Sequence, residues 1–383
     1  MEELKYTLVN GFLTICDGVK KIPKAAFKNR EDIIEVFFPN SMRTIGKYAF
    51  CACVNLKHVE ANAKLKVIEQ GAFQNCFKLL SSPIPKNVEY IGKSAFNCCY
   101  MIENPIVIPR NIRILEESVF FNCKAIPSIV LPRKLKKIGK LTFFGCSSVS
   151  SFTIPETVTD IGMFSFCHCT KIREIILPES VEFIRESAFS SCTNLQRITI
   201  PPKVNLVEKS CFMNCERLEE VIFSGIIRKM KSSAFTGCRI LKRIIFPEGL
   251  IKISAYAFSW CIMLKEIIFP QSLQKLSEYS FSNCRNLENI HFPDGNMCEV
   301  HKFAFYQCEK LDIRKRFVDK LYCELTAEEK IFEQQHCAIS GDEFLERMPI
   351  ILLKCKHFFK KDSLIEWVKI RNICPICREN LGF

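Results

Sequence analysis

Ile184-Arg185-Glu186-Ser187-Ala188-Phe189-Ser190-Ser191-Cys192-Thr193-Asn194-Leu195-Gln196-Arg197-Ile198-Thr199-Ile200-Pro201 is the clearest copy of a pattern that fills most of this chain. Its phenylalanine recurs as Phe27, Phe50, Phe73, Phe96, Phe120, Phe143, Phe166, Phe189, Phe212, Phe235, Phe258, Phe281 and Phe305, in steps of 23 residues except for two of 24. Around each Phe an aliphatic residue stands five before, usually a small one just before, Cys three after, an aliphatic residue six after, and often Pro about twelve after. A fixed period of this length is the mark of a solenoid in which each unit supplies one short strand.

The strand is the β-branched or aromatic run ahead of the proline, as in Ile198-Thr199-Ile200, Ile244-Ile245-Phe246 and Ile267-Ile268-Phe269. Proline ends it because it has no N–H to give to the ladder. The expected architecture is therefore an α/β-type leucine-rich-repeat solenoid, with a parallel sheet on its concave face and a turn or short helix returning each unit. One unit cannot bury its own Phe, Leu and Ile, but stacked units can. Thirteen of them at a strand spacing of about 4.8 Å make a column on the order of 60 Å long.

Twelve units carry Cys three after the Phe, and the first unit has Arg30 there instead, as suits a cap that faces solvent. Such a column could hold metal or disulfides. The repeated inward position instead favours a ladder of small buried thiols, since Cys behaves as a small hydrophobe. These thirteen units resemble the BspA-like leucine-rich repeat, with its I-x-x-x-A-F-x-x-C-x-x-L core followed by I-x-I-P, over about residues 10–313. Members of that family are often surface or secreted adhesion proteins. This chain departs from them in its cysteine-rich end and in starting Met1-Glu2-Glu3-Leu4-Lys5-Tyr6, without the basic start and apolar run of a secretory signal.

With no apolar run of membrane-spanning length, the expectation is a cytoplasmic or nuclear protein with free or metal-bound thiols and no membrane partner. The formal charge of +13 is spread along the chain and is not accompanied by a stacking or groove-reading motif, so a solvated surface is favoured over nucleic-acid binding. The repeats stop after Leu311. Residues 314–336 read as cap and connector, with Arg314-Lys315-Arg316 as a solvated junction and Thr326-Ala327-Glu328-Glu329 as a capping box for a short helix.

Residues 337–383 are too few to rely on a core alone. Cys355-Lys356-His357 and Cys374-Pro375-Ile376-Cys377 supply three thiolates and an imidazole, the donor set of a closed tetrahedral zinc site. Between them Leu364, Ile365 and Trp367 lie at helical spacing. This run resembles a RING finger, the zinc module of ubiquitin ligases, a small α+β domain with eight ligands to two ions.

By that resemblance Cys355, His357, Cys374 and Cys377 form the second metal site. The first keeps only Cys337, with Ser340, Lys360 and Ser363 in the other three positions, as in the half-emptied SP-RING and the metal-free U-box. One zinc ion is expected, with hydrogen bonds among Cys337, Ser340, Lys360, Ser363 and Asp342 or Glu343 holding the vacated site. The resemblance also implies that Ile339, Trp367 and Pro375 dock a ubiquitin-conjugating enzyme and that Arg378 is the linchpin bracing that enzyme and ubiquitin; core packing for Ile339 and Trp367 and a plain surface role for Arg378 are the alternatives.

A module of this kind has no nucleophile and accelerates transfer by proximity. The expectation is a ubiquitin-protein ligase whose solenoid binds a protein substrate on its concave face. A SUMO ligase and a non-catalytic adhesion protein are the rivals.

Overall fold

The computed structural model describes residues 4–293, 296, 298–311, 337–340, 350–352, 357–371 and 373–378. The chain divides into two compact units, Met1–Glu309 and Lys310–Phe383.

The first unit is a β-solenoid of stacked parallel coils, and each coil carries more strand than the sequence announces. One ladder runs through the dipeptides that end five residues before each Phe, from Lys21–Ile22 and Thr44–Ile45 through Phe183–Ile184 to Glu299–Val300. Its pairing is parallel and one coil apart, as in Lys229↔Lys252 and Lys252↔Lys275. The second ladder is the expected one, with strands such as Arg197–Ile200, Glu220–Phe223, Arg243–Ile245 and Glu266–Ile268. Along both, residues alternate between buried and open positions, so that in Arg197–Ile200 only Ile198 and Ile200 point inward.

The third side of each coil was expected to be a turn or short helix, and it is a column of turns. The N–H groups of Ser187, Phe189 and Ser191 donate to the carbonyls of Lys209, Cys211 and Met213 in the next coil, at 2.9, 2.9 and 2.7 Å. Two residues per turn adopt positive φ to allow this, Ser187 at 54° and Ser191 at 58° in this copy. The bonds that a helix would satisfy within itself are satisfied here between coils, so no helix is required.

Inside, the thirteen phenylalanines form one continuous stack. Phe189 lies 5.3 Å from Phe166 and 5.6 Å from Phe212 between ring centroids, with the rings within 4° of parallel. The cysteine column beside them is more than filler. Every one of the twelve thiols donates to the carbonyl of the Phe in the preceding coil, as Cys192 Sγ does to Phe166 O at 3.1 Å and Cys53 Sγ to Phe27 O at 3.1 Å. Burial pushes these thiols up, Cys53 to about 12, so they stay protonated and can donate. In the first coil Arg30 instead forms a two-pronged ion pair with Asp32, Nε to Oδ1 and Nη2 to Oδ2 both at 2.7 Å.

An antiparallel hairpin, Tyr6–Val9 against Phe12–Ile15, opens the unit and pairs in parallel with Glu35–Phe37. Its turn is Asn10-Gly11, both at positive φ, which matches the twist of a tight hairpin. Tyr6 packs edge-on against Phe27 at 5.1 Å and closes that end of the ring stack.

In the second unit Ile350–Leu352 pairs antiparallel with Phe358–Lys360, which runs directly into the helix Lys361–Ile370. Phe359 on the strand and Leu364 and Val368 on the helix are buried. The connector expected over 314–336, its short helix, and Asp342, Glu343 and Cys355 lie outside the described residues. No described helix is long and apolar enough to cross a membrane.

Candidate zinc centre and docking surface

Local structure sets the donors. His357 sits at the entry to the strand Phe358–Lys360, and Cys374 follows the helix after a short link. The turn through Pro375, Ile376 and Cys377 is closed by the Arg378 N–H donating to the Cys374 carbonyl at 2.9 Å, and Arg378 itself takes a positive φ of 59°. This fold-back carries Cys377 toward Cys374. The result is that one ring nitrogen of His357 and the sulfurs of Cys374 and Cys377 lie within 4.8 Å of one another. Cys374 Sγ stands 3.7 Å from His357 Nδ1.

Zinc bonds of about 2.0–2.3 Å put two tetrahedral ligands roughly 3.3–3.8 Å apart, so the trio fits the ion with little adjustment. Two sulfurs and an imidazole are also the donor chemistry that zinc selects, and Cys355 would complete it. When bound, the ion holds the two knuckles closed as a structural centre. Cys374 is buried and Cys377 exposed, so the cluster opens to solvent on one side.

At the other expected site Cys337 is buried. Burial pushes its thiol up, but the Ser340 hydroxyl and the backbone N–H groups of Ser340, Lys360 and Ile339 more than offset this and hold it below the ordinary thiol range. The structure thus brings Cys337, Ser340 and Lys360 together by hydrogen bonding; Ser363 lies on the helix, half-buried. No second group of metal donors is found among the described residues.

Ile339, Trp367 and Pro375 are each half-buried, presenting part of their surface, and Arg378 is exposed. The Trp367 indole is fixed from behind, where its Nε1–H donates to the Ile373 carbonyl at 3.0 Å, and the Arg371 guanidinium lies over its ring at 5.9 Å. Neither Ile373 nor Arg371 was singled out in the sequence. Arg371 stands four residues beyond Trp367, the spacing of neighbours on a helix face, which was the available signal.

Comparison with known proteins places both parts. The model for the BspA type leucine-rich repeat region matches residues 10–127, 114–242 and 228–316. The chain belongs to the BspA-type leucine-rich-repeat family. A leucine-rich repeat protein from Bacteroides ovatus is similar in structure at 24% identity with a TM-score of 0.63, over 81% of this chain and 92% of that one. One from Eubacterium ventriosum gives 20% and 0.56, over 81% and 94%.

The ring finger domain model matches 335–378, so the terminal unit is of RING type. There the chain is 39% identical over 49 residues to the E3 ubiquitin-protein ligase RING1-like of Arabidopsis thaliana, and 45% identical over 42 residues to the E3 ubiquitin-protein ligase MBR1 of the same plant. These matches cover 13% and 11% of this chain, and 15% and 6% of the relatives.

Proposed function

We propose that this protein is a RING-type ubiquitin-protein ligase in which the terminal module recruits a ubiquitin-conjugating enzyme and the solenoid holds a protein substrate against one of its exposed ladder faces. The observation that carries the reading is the convergence of His357, Cys374 and Cys377 in a unit that leaves Ile339, Trp367 and Pro375 partly open to solvent and Arg378 exposed. The named activity of the relatives supports it over this module. Physically, an apolar patch gives docking and the guanidinium fork of Arg378 can brace two carbonyls at once, so the carrier is held in a reactive conformation near a substrate lysine. One zinc ion, held by His357, Cys374, Cys377 and Cys355, is part of this reading, with the Cys337 side held by hydrogen bonds instead. A column of twelve protonated thiols favours a reducing compartment, cytosol or nucleus.

The test is discharge of ubiquitin from a loaded conjugating enzyme by the full chain, with Arg378→Ala as control. The expected result is stimulation that falls at least tenfold in the variant. Stimulation only of a SUMO-loaded carrier would move the assignment to SUMO transfer. No stimulation of either would leave a non-catalytic repeat protein and refute the proposal.

A further inference from the structure

On the second ladder the open position between the two inward residues of each strand forms its own column, occupied in six successive coils by Ile176, Thr199, Ile222, Ile245, Ile268 and His291. Four of these are isoleucines exposed by 74, 47, 65 and 56%. The column continues upstream through Thr153 and the exposed Val130 and Val107, but in that stretch the rows beside it carry charge only from Ile176 onward, and a line of apolar side chains left in water marks a contact surface.

The two rows beside it carry charge. The adjacent row reads Glu174, Arg197, Glu220, Arg243, Glu266, Asn289, and the next reads Arg173, Gln196, Glu219, Lys242, Lys265, Glu288, all of them exposed. Within a single chain Arg197 Nε already reaches Glu220 at 3.6 Å and His291 Nε2 reaches Glu266 at 2.9 Å.

In the first row the alternation that serves neighbour pairing within one chain also makes the row complementary to itself when reversed; the second row, whose order neighbour pairing does not require, has the same property. Turned end for end about the point between Glu220 and Arg243, each row becomes its own electrostatic complement. Arg197 meets Glu266, Glu220 meets Arg243, Glu219 meets Lys242, Arg173 meets Glu288, and the two remaining pairs, Glu174 with Asn289 and Gln196 with Lys265, each include a neutral residue. No like charges meet.

A two-fold axis lying along the strand direction performs this operation, because it reverses the order of coils while keeping each row opposite itself. The same axis sets Ile222 against Ile245 and Thr199 against Ile268 in the apolar column between. Surfaces related by a two-fold axis must be self-complementary in this way.

We infer that the outward face of the second ladder, from the coil of Ile176 to that of His291, is an isologous interface through which two copies of this chain pair with their solenoids antiparallel. The inference is independent of the ligase reading. It reserves these six coils for self-association and leaves the face of the first ladder and the earlier coils for a substrate.

Charge reversal tests it with the full chain in sedimentation equilibrium. The native protein should sediment as a dimer of the 44.3 kDa chain. Arg243→Glu opposes carboxylates with Glu220 of the other copy at two symmetry-related places, and Glu220→Arg opposes cations likewise. Each should weaken pairing at least tenfold. Mixing these two variants should restore a dimer, since each now complements the other, and the double variant Glu220→Arg/Arg243→Glu should pair with itself. Both positions are exposed, so unchanged thermal melts are expected and would show that any loss is not unfolding. A monomeric native protein, single variants that still dimerise, or a mixture that stays monomeric would overturn the inference, whatever the carrier-discharge assay returns.

Discussion

The solenoid and the terminal module use the same side chain in opposite ways. In the solenoid the thiols of Cys53 through Cys308 are spread one per coil, buried, and tied as donors to phenylalanine carbonyls, so each stays neutral and needs nothing from outside the chain. In the module Cys374 and Cys377 are drawn with His357 to a single point, where donor atoms crowd without a positive charge of their own. Dispersal makes cysteine a packing residue, and convergence makes it a ligand. The difference lies in backbone geometry, a 23-residue step in one case and a turn of four residues in the other.

Removing the metal should therefore break the two regions apart most strongly. Metal analysis is expected to find about one zinc per chain by the four-ligand count. Cys374→Ser should bring it to none and abolish carrier discharge while leaving the solenoid's thermal transition in place. Two ions per chain would contradict the reading of Ser340, Lys360 and Ser363.

The next effect belongs to the ring stack. Phe189→Ala, in mid-column between two ring neighbours, should cost the solenoid about 3–5 kcal/mol in denaturant unfolding and leave zinc content unchanged.

Alkaline pH should separate the two cysteine environments more gently. Because the folded state raises the ladder thiols above their ordinary value of 9.0, unfolded chains lose thiol protons first as pH climbs. Stability from this source is full below pH 9 and declines through the range up to about 12 given by Cys53, so the melting temperature should be flat to pH 9 and fall above it. A flat profile to pH 11 would mean that the ladder is not protected as described.

The smallest effect tests the thiol bond itself. Cys192→Ala removes the donor without adding bulk, leaves the Phe166 carbonyl with only its second donor, the Cys169 N–H at 3.2 Å, and should cost about 1–2 kcal/mol.

Much of this was legible in the sequence. The Phe step gave the coil, and the C-x-H and C-x-x-C spacings pointed to His357, Cys374 and Cys377, because both are periodic or paired signals that depend only on counting. The first ladder was not read, since a strand as short as Phe183–Ile184 has one inward residue and shows no alternation. The return of each coil was left open between a turn and a short helix for a different reason. Positive φ is usually sought at glycine, and here bulky residues such as Leu141 at 58° and Phe164 at 55° adopt it because bonds to the next coil hold them there. Asn10-Gly11 is a hairpin signal that stands ahead of the first Phe of the column and so outside the counted repeat. The Trp367 anchor on the Ile373 carbonyl depends on how the chain folds back after the helix, which spacing does not record.

That hairpin has a consequence for how the molecule behaves in company. A stack of identical coils has no intrinsic reason to end, and an uncovered terminal strand is a template on which another chain can continue the stack into a fibre. Tyr6–Val9 runs against the direction of every strand that follows in the second ladder. A coil arriving from another molecule would find its parallel docking site already taken by a strand of the wrong polarity, and growth from that edge stops.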